Sequence, residues 1–273
     1  MDRAEQIHVL NDILLREMPD LRPQARAVPR DPAAQRRLLR SLMNLRPPMP
    51  LSAGFLAAQD GLLGAEREEK GVVEAEGLPA SASHPQIALW QGDITRLRAD
   101  AIVNAANSAL LGCFCPCHGC IDNAIHSAAG LQLREACRRL MAAQGGPEPA
   151  GRAKLTEGYN LPARYVLHTV GPTVRGAVTP EDRTELASCY RSCLELAAEN
   201  GLKTIAFCCI STGVFHFPNQ EAAEIAVKTV TDFLQAPSSV QRVIFNVFQD
   251  TDKQIYRGLL GPDAAVETAH GNS

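Results

Sequence analysis

The chain has 273 residues, 45% of them hydrophobic and 21% charged, and its 27 basic and 30 acidic side chains leave a formal net charge of −3. That length accommodates one large domain or a domain with an extension, and the mild acidity excludes a protein built to neutralise nucleic-acid phosphates, which needs a clustered basic excess. No apolar run reaches the length of a membrane span, and the first twenty residues mix Asp2, Glu5 and Glu17 with Arg3 and Arg16 instead of forming a signal-peptide core, so a soluble, cytoplasmic protein is expected.

Residues 1–83 read as a small helical extension. Ile7, Leu10, Leu14 and Met18 repeat at helical spacing until Pro19 and Pro23 interrupt, and Leu38, Leu42 and Leu45 precede Pro47, Pro48 and Pro50. A stretch rich in Gly, Ala and Ser over 77–84 marks the boundary to a second unit over 84–262. There, short runs rich in Val, Ile and Phe predict strands over 87–90, 101–104, 164–169, 204–210 and 242–248. Helices are predicted over 183–200, with Leu186, Tyr190, Leu194 and Ala197 on one face, and over 219–234, with Ala223, Ala226, Val230 and Phe233. Asn200-Gly201 closes the first with a left-handed cap, and Pro218 or Asn219 opens the second. Alternating strands and helices predict a three-layer α/β domain. Residues 263–273 are expected to be a disordered tail.

Along this frame, Gly92-Asp93-Ile94-Thr95 places a carboxylate after the first strand, where it can accept from a nucleotide's exocyclic amine or ribose hydroxyl, or simply cap a turn. Asn104 and Asn107 put two amides where the second strand gives way to a loop, suited to sugar hydroxyls or to an ordinary turn. The eight residues from Cys113 to Cys120 hold four of the nine cysteines beside His118, a density that points to a metal. Two ligand sets are open: Cys115, Cys117, His118 and Cys120 closing a structural site, or three of the group leaving a position vacant. Asp122 follows at the start of a predicted helix. Cys137, Cys189, Cys193, Cys208 and Cys209 lie in apolar patterns as buried thiols, and His126 and His168 as hydrogen-bonded core histidines. Trp90 is expected to pack on the extension or the sheet. The loop from Ser211 to Phe215, between a strand and a helix, has the small residues and free backbone N–H groups that suit a phosphate.

Taken together, Gly92-Asp93-Ile94-Thr95, the run from Ile102 to Asn107, the run from Thr156 to Leu161, His168-Thr169-Val170-Gly171-Pro172 and the run from Ser211 to Phe215 resemble the macrodomain family over residues 86–260. The resemblance implies an α/β/α fold of three layers with a mixed central sheet, here with an N-terminal helical extension, that binds ADP-ribose; its MacroD type hydrolyses ADP-ribose from acidic side chains. In place of that type's glycine run, Gly112-Cys113-Phe114, Pro116, His118-Gly119-Cys120 and Ile121-Asp122-Asn123 resemble the zinc-dependent macrodomains of bacteria and some fungi, often encoded with a sirtuin-type ADP-ribosyltransferase.

That subgroup implies Zn2+ held by Cys113, His118 and Cys120 with an open fourth position, leaving Cys115 and Cys117 outside the pattern. It implies Asp122 as the catalytic carboxylate, with Asn107 beside it, and Asn104 and Asn107 at the distal ribose. Asp93 and Ile94 would hold the adenine with Phe248 packed on it, and Ser211, Thr212, Gly213, Val214 and Phe215 would wrap the diphosphate. The implied reaction is zinc-dependent removal of ADP-ribose from Asp and Glu side chains, zinc positioning the ribose and Asp122 assisting the water. The alternative is a non-catalytic ADP-ribose reader with a structural zinc. Implied partners are the ADP-ribosylated protein, a sirtuin-type transferase and a lipoyl-carrier protein, without membrane or nucleic acid.

Overall fold

Asp2 starts the first helix with its own side chain, accepting from the Glu5 N–H at 2.8 Å while Glu5 reaches back to the Asp2 N–H at 3.1 Å. This computed structural model describes residues 2–262, so the tail expected over 263–273 lies outside the described residues. Helix α1 (Arg3–Glu17) leads through a 3-10 turn into the short α2 (Arg22–Arg26), α3 (Pro32–Leu45) and α4 (Ala53–Lys70). Asp31 caps α3 and Ser52 caps α4, each accepting the N–H three residues on. Ile7, Leu10 and Leu14 of α1 meet Leu39, Leu42 and Met43 of α3 and Phe55, Ala58, Leu62 and Leu63 of α4 in a small core, joined by Leu131 from the second unit. No helix among the described residues is long and apolar enough to cross a membrane.

The second core begins before residue 83. β1 (Val73–Glu74) pairs in parallel with β3 (Leu97–Arg98), which follows β2 (Ile87–Gln91) in the chain, and Ala75 is already fully buried with the sheet's residues. The remaining elements are β4 (Ala101–Ala105), α5 (Ile121–Ala129), α6 (Leu131–Gln144), β5 (Ala153–Glu157), β6 (Tyr165–Thr169), α7 (Pro180–Glu199), β7 (Thr204–Phe207), α8 (Asn219–Leu234), β8 (Arg242–Val247) and α9 (Asp250–Leu260). The sheet runs β2-β8-β7-β4-β6-β5, parallel throughout except that β5 lies antiparallel to β6. Helices α7, α8 and α9 pack side by side, and α5 packs with α6, giving the three layers with a mixed sheet. An aromatic ladder ties the first group to the sheet: Tyr190 of α7 on Phe207 at 4.9 Å, Phe207 on Phe245, and Phe245 on Tyr256 of α9 at 4.9 Å.

The predicted strand over 204–210 ends at Phe207. Cys208 and Ile210 are still buried, but past Phe207 the chain turns into a loop; an apolar run reports burial, not pairing. Sequence periodicity missed β5, whose residues are only partly buried at the sheet edge, and it missed α6 and α9. Gly201 takes the left-handed φ of 66° expected after α7. Trp90 is partly buried on the large core and lies over Gly92, where an added Cβ would meet its ring at 2.5 Å.

Candidate active site

Because β2, β8, β7 and β4 are parallel neighbours, their C-terminal ends open on one side of the sheet, the position where α/β folds place ligands. From β2 to β4 is three strand spacings, roughly 14 Å. Along that row the sequence supplies Asp93 and Ile94 after β2, Phe248 after β8, the run from Ser211 to Phe215 after β7, and Asn104 and Asn107 at the end of β4. The motifs scattered over the chain are therefore brought together in one line.

At the β4 end, Asp122 in the first turn of α5 is 5% exposed and Asn104 fully buried. Asn104 Nδ2 donates to Asp122 Oδ1 at 2.8 Å, and Asn107 Nδ2 donates to Asp122 Oδ2 at 3.3 Å and to the Gly112 carbonyl at 3.1 Å. The second N–H of Asn104 faces His168 Nδ1 at 3.2 Å. That makes Nδ1 an acceptor, so the imidazole proton sits on Nε2, 2.9 Å from Thr156 Oγ1. Burial pushes His168 down to about 3, so the ring is neutral at physiological pH. Thr156, His168 and Asn104 thus form a buried chain that orients the amide holding Asp122. Burial also pushes the Asp122 carboxyl up to about 6, against the pull of the Asn104 bond and of the Arg134 charge. His126 lies 3.5 Å from Asp122 Oδ1, but burial keeps its pKa far below the usual value. Its ring nitrogens find no hydrogen-bond partner among the described residues, which corrects the expectation of a hydrogen-bonded core histidine at this position. Its contact is packing: Gly112, at φ 80°, would place a Cβ 2.9 Å from the His126 ring.

Thr156→Val tests the first link of that chain. It leaves His168 Nε2 with only Cys137 Sγ, 3.7 Å away, and an unsatisfied buried group costs roughly 1–3 kcal/mol, so denaturant unfolding should show a loss of that order; unchanged stability would remove Thr156 from the chain. The nitrogen chemical shifts of the ring check the tautomer, and a proton on Nδ1 would undo the assigned orientation of Asn104.

In the cysteine loop, Cys113, His118 and Cys120 converge, their ligand atoms lying within 4.8 Å of one another, with Cys113 Sγ 3.6 Å from His118 Nδ1. Cys115 is exposed, and its carbonyl accepts from the His118 N–H and from Asn123 Nδ2. Cys117 Sγ turns to Ser41 Oγ at 3.3 Å and the Arg37 carbonyl at 3.6 Å. Of the two open ligand sets, the folded chain assembles the three-residue one. Cys120 doubles as the N-cap of α5, its Sγ accepting from the Asn123 N–H at 3.4 Å. Burial, with Cys113 and Asp122 adding to it, pushes this thiol up to about 11.

Toward β2, Asp93 Oδ1 accepts from the Thr95 N–H and hydroxyl at 3.0 and 2.7 Å, so one carboxylate oxygen does cap its own turn, and Oδ2 lies 3.9 Å from Lys70 Nζ. Ile94 is 1% exposed, which leaves its backbone as the part a ligand could reach, whereas Phe248 is 77% exposed at the rim. In the loop after β7 the left-handed residues are Ser211 (φ 65°) and His216 (φ 58°), not Gly213. Ser211 fits because Gly171 lies beneath it: a Cβ on Gly171 would sit 2.0 Å from Ser211 Oγ. The loop is closed by the Phe217 N–H on the Ser211 carbonyl and the Val174 N–H on the Phe215 carbonyl. Helix α8 begins only at Asn219, behind Pro218, so the loop's own turns, rather than the helix terminus, arrange its N–H groups. Val214 is 63% exposed, Thr212 is partly buried, and Gly213 would offer an added Cβ open space.

The Macro domain family profile matches residues 103–226. A curated relative named protein-ADP-ribose hydrolase, from Treponema medium, is 49% identical over 262 residues, spanning 95% of this chain and all of the relative. A Fusarium oxysporum relative, whose name couples an ADP-ribose hydrolase with an ADP-ribosyltransferase, is 46% identical over 82% of this chain and 41% of its own length. Among solved structures, a Trypanosoma brucei macrodomain in complex with ADP-ribose is 35% identical and superposes with a TM-score of 0.63, covering 81% of this chain and 95% of that one.

Proposed function

Because the chain belongs to the Macro domain family, we propose that it is a zinc-dependent hydrolase that releases ADP-ribose from aspartate and glutamate side chains of modified proteins. That it is a protein-ADP-ribose hydrolase follows from near-half identity over the whole length of a relative bearing that name; the metal and the ester linkage are our reading. One observation carries it: Asp122, held by Asn104 and Asn107, stands two residues beyond Cys120 of a three-ligand cluster.

The donors fit the metal. Zinc bonds of about 2.3 Å to sulfur and 2.05 Å to nitrogen at a tetrahedral angle place S and N about 3.6 Å apart, and Cys113 Sγ and His118 Nδ1 stand at 3.6 Å. Cys113, His118 and Cys120 would hold the zinc, which would supply a Lewis acid beside the distal ribose. The chain's own residues do the rest. ADP-ribose lies along the row of strand ends, adenine beside Asp93, Ile94 and Phe248, diphosphate in the loop from Ser211 to Phe215, distal ribose at Asn104 and Asn107. Asn104 Oδ1 and Ser211 Oγ, buried without a partner among the described residues, are available to ligand oxygens. Asp122 accepts a proton from the water that attacks the anomeric carbon, as the protein carboxylate departs; a carboxyl near 6 is mostly ionised at neutral pH and more basic than an ordinary one. The Fusarium relative supports a partnership with an ADP-ribosyltransferase, and a lipoyl-carrier protein as the modified partner belongs to the same reading.

The deciding measurement is ADP-ribose release from a protein modified on Asp or Glu, with metal content determined before and after strong chelation. Turnover that leaves with the zinc supports the reading; tight ADP-ribose binding without turnover makes the chain a reader.

Gly213→Val probes the diphosphate loop. An added Cβ at this exposed position meets nothing within 4 Å, so the melting temperature should move little, while ADP-ribose affinity by calorimetry should fall about tenfold or more as the side chain takes ligand space, about 1.4 kcal/mol per decade. Parental affinity would remove this loop from the site.

A further inference from the structure

The metal loop is fastened from outside its own unit. Cys117, immediately before His118, has a φ of 53°, a left-handed conformation that a residue with a Cβ does not hold unaided. Its N–H donates to Asn44 Oδ1 at 2.9 Å, and Asn44, 2% exposed near the end of α3, donates through Nδ2 to Ser127 Oγ of α5 at 3.1 Å. One turn earlier on α3, Arg40 donates to Asn123 Oδ1 through Nη2 at 2.8 Å and Nε at 3.2 Å, and to the His118 carbonyl at 3.4 Å. Asn123 in turn donates to the Cys115 carbonyl at 3.0 Å. Arg40 and Asn44 are four apart, so they share a helix face with Arg37 and Ser41, which meet Cys117 Sγ. From α6, the buried Arg134 donates to the Leu111 carbonyl at 2.8 Å and to the Met43 carbonyl at 2.8 Å, and its guanidinium lies 4.4 Å over the Phe114 ring. The loop's C-terminal half is therefore tied directly to α3, by residues 73 to 83 positions upstream for the Asn44 and Arg40 bonds, and its start is held by Arg134 of α6, which itself bonds the Met43 carbonyl of α3.

We propose that α3 of the N-terminal extension is the positioning element of the metal loop, with Asn44 and Arg40 holding Cys113, His118 and Cys120 in their three-ligand arrangement before the ion arrives. The inference rests on the reading that this loop binds zinc. Ligands fixed in advance lose little freedom on binding, so removing the ties lowers metal affinity without touching a ligand.

The test uses the full-length, zinc-loaded protein with Asn44→Ala, Arg40→Ala and, as a control, Arg36→Ala, which lies on the same helix but pairs with Glu66 of α4 and not with the loop. Zinc transfer to a chromogenic chelator should be 10–100-fold faster from Asn44→Ala and Arg40→Ala, the range typical of residues that orient metal ligands, and close to parental from Arg36→Ala. Losing its two buried bonds should destabilise the zinc-stripped Asn44→Ala protein, but below its melting transition ADP-ribose affinity should stay parental and excess zinc should restore turnover; a general loss of structure would spoil both. Arg40 is partly exposed, so its variant decides the matter if Asn44→Ala does not fold. A parent that holds zinc, with both folded variants releasing it at the parental rate, overturns the role of α3 alone. A parent that holds no zinc overturns the metal reading, and this inference with it.

Discussion

Alanine at Cys113 or at His118 is expected to abolish zinc binding and lower ADP-ribose release by about 10²–10³-fold, since Lewis-acid stabilisation is worth several kcal/mol and each 1.4 kcal/mol is a decade in rate. ADP-ribose itself should still bind, with affinity within about tenfold of parental, because the proposed adenine and diphosphate contacts lie at the ends of β2, β8 and β7, one to three strands from β4. Cys120 is the poorer choice: its Sγ also caps α5, so its replacement shifts Asp122 and mixes two losses. Strong chelation of the parent should reproduce the alanine phenotype, and added zinc should reverse chelation but not the substitutions, since ligand loss cannot be titrated away. A His118→Ala protein that carries no zinc yet turns over at the parental rate would end the metal reading. If instead the variant loses thermal stability while the parent never showed turnover, the ion is structural and the pocket only reads ADP-ribose.

What the sequence disclosed and what it hid divide by range. The strands that are apolar on both faces, β2, β4, β6 and β8, carry their burial in their own residues and were found to within about a residue, whereas β5 lies half-exposed at an edge and depends on β6 for its definition. The overrun from Phe207 to Ile210 has the same origin, since those residues are buried by tertiary packing after the ladder ends. At the site, Cys113, His118, Cys120 and Asp122 fall within ten consecutive positions and one helix start, so local pattern could gather them. No local pattern links Thr156 on β5 with His168 on β6 and Asn104 on β4; their chain exists because register sets Asn104 opposite His168 and Lys154, Thr156's neighbour on the same face, opposite His168 in turn. Asn44 and Arg40 are more distant still, in a segment whose local signal is only the spacing of Leu38, Leu42 and Leu45 before the prolines. Cys117, a member of the four-residue ligand set that local density allows, turns its side chain to α3 instead.

Asp122→Ala is expected to lower turnover by about 10²–10⁴-fold, the usual contribution of a positioned general base, with one zinc per chain retained and the Michaelis constant little changed. Its partners say why the loss should fall on the chemical step. Both oxygens are already held by Asn104 and Asn107, so the carboxylate is aimed before substrate arrives and contributes orientation as well as basicity. Burial raises its pKa from 3.8 to about 6, so the ionised group is harder to hold in the folded chain than in the unfolded one, and the fold is penalised as the pH rises through that interval. Removing the group relieves that penalty but leaves the Asn104 donor unsatisfied, at roughly 1–3 kcal/mol, so the two offset and the melting temperature at neutral pH should stay close to parental. A variant that melts earlier and turns over in proportion to its folded fraction would make Asp122 a structural residue. One that keeps full turnover would hand the base to another group, and an intact zinc content in that variant would leave the metal reading standing while the carboxylate assignment falls.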